Sequence, residues 1–159
     1  RQRLHVGQPL SPPLIRAVKQ RAAGGGLTII DCPPGTSCPV VATVRVSDYV
    51  LLVTEPTPFG LHDLRLAVET VRELKLPYGV VINRSDAGDG RVETYCREAC
   101  IPVLLRIPED RRIAEAYARG EPVVDVLPGL RSALRTLLSE VREWTIGCMS
   151  TGGASHADV

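Results

Sequence analysis

Apolar positions along the chain fall into two alternating patterns. Leu27-Thr28-Ile29-Ile30, Tyr49-Val50-Leu51-Leu52-Val53, Tyr78-Gly79-Val80-Val81-Ile82 and Val103-Leu104-Leu105 are short apolar runs rich in β-branched residues. They do not alternate polar with apolar, so each predicts a strand covered on both faces of a parallel sheet. Between them lie helical patterns. Ser11 with Pro12 and Pro13 reads as an N-cap and first turn, followed by Leu14, Ile15 and Val18 on one face. Leu61, Leu64, Val68 and Val71 repeat at helical spacing, with charges opposite. Val92, Tyr95, Cys96 and Ala99 form a third stripe, and Ile113, Ala114 and Tyr117 a fourth that Gly120 should cap. Leu130, Leu134, Leu137, Leu138 and Val141 form the last. Strand and helix in alternation predict a three-layer α/β fold, a mostly parallel sheet flanked by helices. Residues 1–146 read as a single α/β domain, and the small, polar, aperiodic stretch 147–159 as a flexible tail.

Composition narrows the function classes. A chain of 159 residues suits one domain, which buries roughly 70% of the surface its unfolded form exposes. A hydrophobic fraction of 44% and a charged fraction of 23% are those of a globular protein. The formal charge of +1 supplies no field for nucleic acid or anionic lipid, so neither is expected as a partner. No apolar run approaches the roughly 20 residues of a membrane span. Arg1-Gln2-Arg3 begins no signal peptide, and Arg1 in place of methionine reads as the start of a fragment or a processed chain. Five cysteines in a chain of this size fit a reduced, cytoplasmic protein.

Three segments carry candidate chemistry. Ile29-Ile30-Asp31-Cys32-Pro33-Pro34-Gly35-Thr36 puts an aspartate at the end of an apolar run, where α/β folds place ligands. Asp31 there can hold Mg²⁺ through water, or simply cap the next turn. Pro33 and Pro34 stiffen the turn, and Gly35 can bring its N–H close to a phosphate. Val81-Ile82-Asn83-Arg84 ends another run. The Asn83 amide offers the donor and acceptor that an adenine edge demands, or an Asx-turn that ends a strand. Arg106-Ile107-Pro108-Glu109-Asp110 enters a helix with acids expected in its first turn, a well-formed helix start in purely structural terms.

Other features carry less. Cys96 falls on an apolar stripe and reads as core, although Cys96 and Cys100 are spaced as metal ligands could be. Cys32 and Cys38 bracket the Pro-Pro-Gly loop, but the cysteines do not form two CxxC pairs, so no iron–sulfur cluster is expected in this chain. Asp86-Ala87-Gly88-Asp89-Gly90 lacks the length of a calcium loop and reads as a turn. No histidine has a visible nucleophile beside it. The arginines on the last helix lie opposite a stripe that core packing requires.

Asp31-Cys32-Pro33-Pro34-Gly35-Thr36-Ser37-Cys38-Pro39, Thr54-Glu55-Pro56-Thr57-Pro58-Phe59-Gly60-Leu61-His62-Asp63-Leu64, Ile82-Asn83-Arg84-Ser85, Ile107-Pro108-Glu109-Asp110 and Ala116-Tyr117-Ala118-Arg119-Gly120-Glu121-Pro122 occur in that order. Together they resemble the MinD/ParA-like group of deviant-Walker P-loop ATPases, in particular the branch that carries an inserted ferredoxin domain. The resemblance runs from about Leu4 to about Leu138. It implies that Asp31 is the switch aspartate near Mg²⁺ and the catalytic residue, and that Pro33, Pro34 and Gly35 form the switch sensing the γ-phosphate. It implies that Asn83 reads the adenine edge with Arg84 flanking the base, while Pro108 and Glu109 line the other side. It places Thr54 to Leu64 near the face across which two such domains sandwich ATP.

One part of the family pattern is missing. The sequence contains no glycine-rich run ending Gly-Lys-Thr or Gly-Lys-Ser, and Gly24-Gly25-Gly26 has no lysine after it and precedes an apolar run. Without such a loop, ATP or ADP with Mg²⁺ should bind weakly and the chain alone should not hydrolyse it. The resemblance implies an ATP-binding portion linked to iron–sulfur or electron-transfer chemistry, with a redox or iron–sulfur partner. The alternatives are a non-catalytic binding or dimerisation module, and part of an ATP-dependent cobyrinic acid amidoligase. A sheet lacking its first strand would leave a bare edge and apolar surface, so self-association is expected.

Overall fold

The computed structural model describes residues 27–151 apart from Pro33 and Thr36. The Ser11–Val18 helix pattern, the glycine run at 24–26 and residues 152–159 lie outside the described residues. The described elements are α1 (Cys38–Val44), β1 (Val50–Thr54), α2 (Pro58–Glu73), β2 (Tyr78–Asn83), α3 (Arg91–Glu98), β3 (Val103–Ile107), α4 (Arg111–Arg119) and α5 (Leu130–Thr151). A short 3-10 turn at Val123–Asp125 precedes α5.

The three strands form a parallel sheet in the order β1-β2-β3. Val50 to Thr54 lie opposite Tyr78 to Ile82, and the β2–β3 register shifts between Val80 and Val81. Helix α2 begins where Thr57 caps it, with Pro58 in the first turn, a position that needs no amide donor. Its stripe of Leu64, Val68 and Val71 is buried. Leu64 and Val68 meet Val92 and Cys96 of α3 against Val80 and Ile82 of β2, and this is the main core. Helix α5 lies against β3 and buries Leu130 and Leu137. Its Trp144 meets the Tyr49 ring edge-on at 6.0 Å. The expected layers of helices around a parallel sheet are therefore present.

Pleat and register expose one part of the sheet. Leu52 lies opposite Val80 and packs with the core, so its neighbours Leu51 and Val53 point to the other face. They are 40% and 66% exposed. β1 is also an edge strand among the described residues.

Four details depart from the sequence reading. Leu27–Ile30 forms no strand: it pairs with no described strand, and Leu27 and Ile29 are exposed. An apolar run becomes a strand only where a neighbour satisfies its backbone groups. Residues after Ser37 fold into α1, with a proline in its first turn, a helix for which no apolar stripe was read from the sequence. On α4 the buried residue is Ala116, whereas Tyr117 is 81% exposed, so the inward face lies one position away from the Tyr117 end of the stripe read from the sequence. Helix α5 continues past Gly147 to Thr151, since one glycine lowers helix propensity without removing the hydrogen-bond donor that proline lacks.

Candidate functional site

The carboxyl ends of β1, β2 and β3 lie side by side, and the loops leaving them carry Glu55, Asn83 to Asp86, and Pro108 to Asp110. Ligands of open parallel sheets bind outside those ends.

The loop after β1 is closed tightly by its own sequence. Thr54 Oγ1 donates to the Gly60 carbonyl at 3.0 Å, and the Thr57 amide donates to the Glu55 carbonyl at 2.8 Å. Thr57 Oγ1 accepts from the Gly60 amide at 2.9 Å and caps α2. A Cβ at residue 60 would run into the Glu55 carbonyl oxygen, and one at residue 88 into the Pro56 carbonyl. Glycine at both positions lets the two loops press together and fixes the Glu55 backbone.

At the end of β2 the Ser85 amide donates to the Ile107 carbonyl at 2.9 Å, extending the pairing beyond Asn83. Arg84, between them, has a φ of 52°, in the left-handed region that L side chains rarely adopt. Side chains then tie the three strand ends together. Asn83 Nδ2 donates to Glu55 Oε1 at 3.3 Å. Arg84 Nη1 lies 3.7 Å from Glu55 Oε2, and Nη2 lies 2.5 Å from Glu109 Oε1. The Glu109 amide donates to Asp86 Oδ1 at 2.6 Å. The Arg84 guanidinium is held more firmly protonated than usual, chiefly by its hydrogen bond to Glu109, then by the charges of Glu109 and Glu55.

Helix α4 starts one step later than the sequence suggested. Asp110 is its N-cap, accepting from the Arg112 amide at 2.8 Å, and the first turn holds no acid. Pro108 and Glu109 therefore stay in the loop, beside the strand ends. Next to Pro108 is a cleft of about 450 Å³, lined also by Leu105, Asp110, Arg112, Gly129 and Leu130. Asn83, Arg84 and Glu109 do not line it.

The structure thus brings together Asn83, Arg84, Pro108 and Glu109 of the expected site residues. Asp31 is exposed on the unpaired segment, and Pro34 and Gly35 are exposed, Gly35 with a φ of 101°. Pro33 lies outside the described residues. No hydrogen bond or ion pair among the described residues links Asp31, Pro34 or Gly35 to the strand-end cluster. Asp31 offers one carboxylate, and Mg²⁺ takes only one or two from a protein when phosphates and water complete its shell. The residue thus fits a nucleotide-borne ion, and among the described residues no three or more His, Cys, Asp or Glu side chains group to hold a metal.

Burial pushes the Cys32 thiol up, against a hydrogen bond with Thr43 that lowers it, and the Asp31 charge raises it further. Cys96 is buried among core residues, and burial pushes its thiol up too. Cys38 and Cys100 are exposed free thiols. Among the described residues no helix is long and apolar enough to cross a membrane. Neither Glu55, read only within the Thr54–Leu64 motif, nor Asp86, read only as part of a turn, was named as a site residue from sequence. Glu55 immediately follows a strand, the same position that drew attention to Asp31 and Asn83, and that signal was available.

No known family profile matches the chain. An uncharacterized protein of Methanocaldococcus jannaschii is 35% identical over 120 residues, 76% of this chain and 39% of that protein. An iron–sulfur cluster carrier protein of Pyrococcus horikoshii is 30% identical over 111 residues, 60% of this chain and 38% of the relative. The chain therefore spans well under half the length of these curated relatives. Among solved structures, the septum site-determining protein MinD of Pyrococcus horikoshii, complexed with Mg-ADP, superposes with a TM-score of 0.62 and 26% identity. That likeness covers 82% of this chain and 54% of the MinD chain. The parallel sheet flanked by helices is that of a MinD-like α/β fold. The likenesses agree on the MinD/ParA-like P-loop ATPases, with iron–sulfur cluster carriers among the sequence relatives.

Proposed function

We propose that this chain is the base-binding portion of a MinD/ParA-like ATPase that works with iron–sulfur or electron-transfer chemistry in the cytoplasm. The observation that carries this reading is the convergence of Asn83, Arg84, Pro108 and Glu109 on the carboxyl ends of adjacent parallel strands. Asn83 would present its amide to the adenine edge, Arg84 would flank the base, and Pro108 and Glu109 would close the other side. Asp31 would hold Mg²⁺ through water beside the phosphates, with Pro33, Pro34 and Gly35 as the switch. The MinD relative solved with Mg-ADP and the iron–sulfur carrier relative support the ligand and the chemistry respectively. Hydrolysis would require a phosphate loop, which the sequence does not contain. Calorimetric titration of Mg-ADP into the chain tests the reading. Micromolar to sub-millimolar binding lost in Asn83→Ala supports it, and no binding at millimolar nucleotide removes it.

A second reading, a self-associating module, is favoured by β1. Its outer edge is unpaired among the described residues, and Leu51 and Val53 are exposed beside it. Phe59, in the segment that the resemblance places at a dimer face, is 83% exposed. A redox or iron–sulfur protein is the further partner this reading would admit.

A further inference from the structure

We infer that Glu55 determines base selectivity, by fixing which way the Asn83 amide points. The inference rests on the base-binding role proposed for Asn83.

An unrestrained asparagine can turn its amide over, exchanging donor and acceptor, and so can meet either a 6-amino or a 6-oxo purine. Here one end is committed. A carboxylate only accepts hydrogen bonds, so whatever Asn83 turns toward Glu55 must be its NH₂ group. The observed contact, Nδ2 to Oε1 at 3.3 Å, has that sense. The other Glu55 oxygen faces Arg84 Nη1 at 3.7 Å, a half-exposed pair that biases the Glu55 side chain toward this position. Its backbone is pinned by the Thr57 amide and by the close approach of Gly60. Asn83 sits at the end of a paired strand, and the Ser85 amide bound to Ile107 fixes the chain just beyond it.

With Nδ2 facing Glu55, Oδ1 is left to accept and the second Nδ2 hydrogen to donate. That pair fits the exocyclic amine and ring nitrogen of adenine. Guanine presents an acceptor where adenine has its amine, so Oδ1 would face a second acceptor. Glu55 is thus a positioning residue acting through Asn83, and it favours adenine nucleotides over guanine nucleotides.

The test is the ratio of Mg-ADP to Mg-GDP affinity, measured by calorimetry on the whole chain and on Glu55→Gln. A glutamine of the same shape can accept from the Asn83 NH₂ or donate to its oxygen, so both amide orientations become allowed. The wild-type chain is expected to favour ADP by about tenfold or more, and the variant to fall within about threefold. ADP affinity should fall by no more than severalfold, whereas a general loss of structure would weaken both nucleotides together and leave their ratio unchanged. A second variant, Glu55→Asp, withdraws the carboxylate by one methylene and is expected to lose selectivity in the same way. In the free protein, the Asn83 side-chain NH₂ resonances should shift in Glu55→Gln. Unchanged resonances, or a selective wild type whose ADP preference survives in both variants, would overturn the inference and leave the base-binding reading intact. A wild-type chain that binds neither nucleotide would overturn both.

Discussion

Arg84 Nη2 lies 2.5 Å from Glu109 Oε1, an ion pair that joins the loop after β2 to the loop after β3. Both side chains are about half exposed, at 48% and 50%, so solvent and salt screen the attraction. The pair arranges the rim of the strand-end site and contributes little to stability. Glu109→Gln is accordingly expected to leave the thermal midpoint within about a degree of wild type. A fall of several degrees by calorimetry would show that the fold depends on this bridge.

Gly60 is a different matter, because its neighbour is backbone. A Cβ there meets the Glu55 carbonyl oxygen, which cannot move without opening the turn that caps α2. Gly60→Ala is expected to cost roughly 1–3 kcal/mol, the range of overpacked sites. Urea denaturation checks this, and a midpoint equal to wild type would mean that the loop has slack the geometry does not suggest.

The core of the sheet offers the sharpest stability test. Ile82 has no exposed surface and packs among Val80, Leu64 and Val68. Ile82→Ala should leave a cavity that its packed surroundings fill only in part, with a loss of roughly 2–5 kcal/mol. A loss under about 1 kcal/mol by chemical denaturation would mean that this core is not close-packed.

What could be read from the sequence divides along a physical line. β1, β2 and β3 were legible because each apolar run pairs with a neighbour in the sheet, although Leu51 and Val53 leave one face of β1 open where the pattern predicted cover on both. The buried stripe of α2 was legible because its spacing matches the face it packs. Leu27–Ile30 has the same pattern and no described partner, and pattern alone does not supply one. Asn83 stood out because it ends a strand, and the structure joins it to Glu55 while the adjacent Arg84 pairs with Glu109. The contacts of Glu55 with Asn83 and Arg84 bring together residues far apart in the chain, and no local periodicity encodes them.

The uncovered side of β1 leads to a prediction about association. Leu51 and Val53 share one face, and the strand beside them has an unpaired edge among the described residues. Exposed apolar strand edges pair with other chains unless a charge interrupts them. Light scattering should show the wild-type chain growing in mass with concentration, and Val53→Lys holding it to a monomer with an unchanged circular dichroism spectrum. A wild type that stays monomeric at high concentration would rule out this surface as sticky.

Asp110 gives α4 a pH dependence whose sign follows from its contacts. Its carboxylate accepts from the Arg112 guanidinium and from the Arg112 amide, and these bonds, the side-chain one foremost, hold its pKa below the usual value. A carboxyl with a depressed folded-state pKa contributes stability that is fully present above its unfolded value of about 3.9 and is lost as pH falls through the folded value. Asp110→Asn keeps a side-chain acceptor but removes the charge. The wild-type advantage over this variant should therefore be flat from about pH 6 to 8 and shrink below about pH 4. Because the Arg112 side chain of the pair is more than half exposed, the advantage should also diminish in high salt. Urea midpoints of both proteins across that range decide the matter. An advantage that grows toward acid pH would mean that the Asp110 carboxylate is disfavoured in the folded chain, with its pair to Arg112 broken in solution.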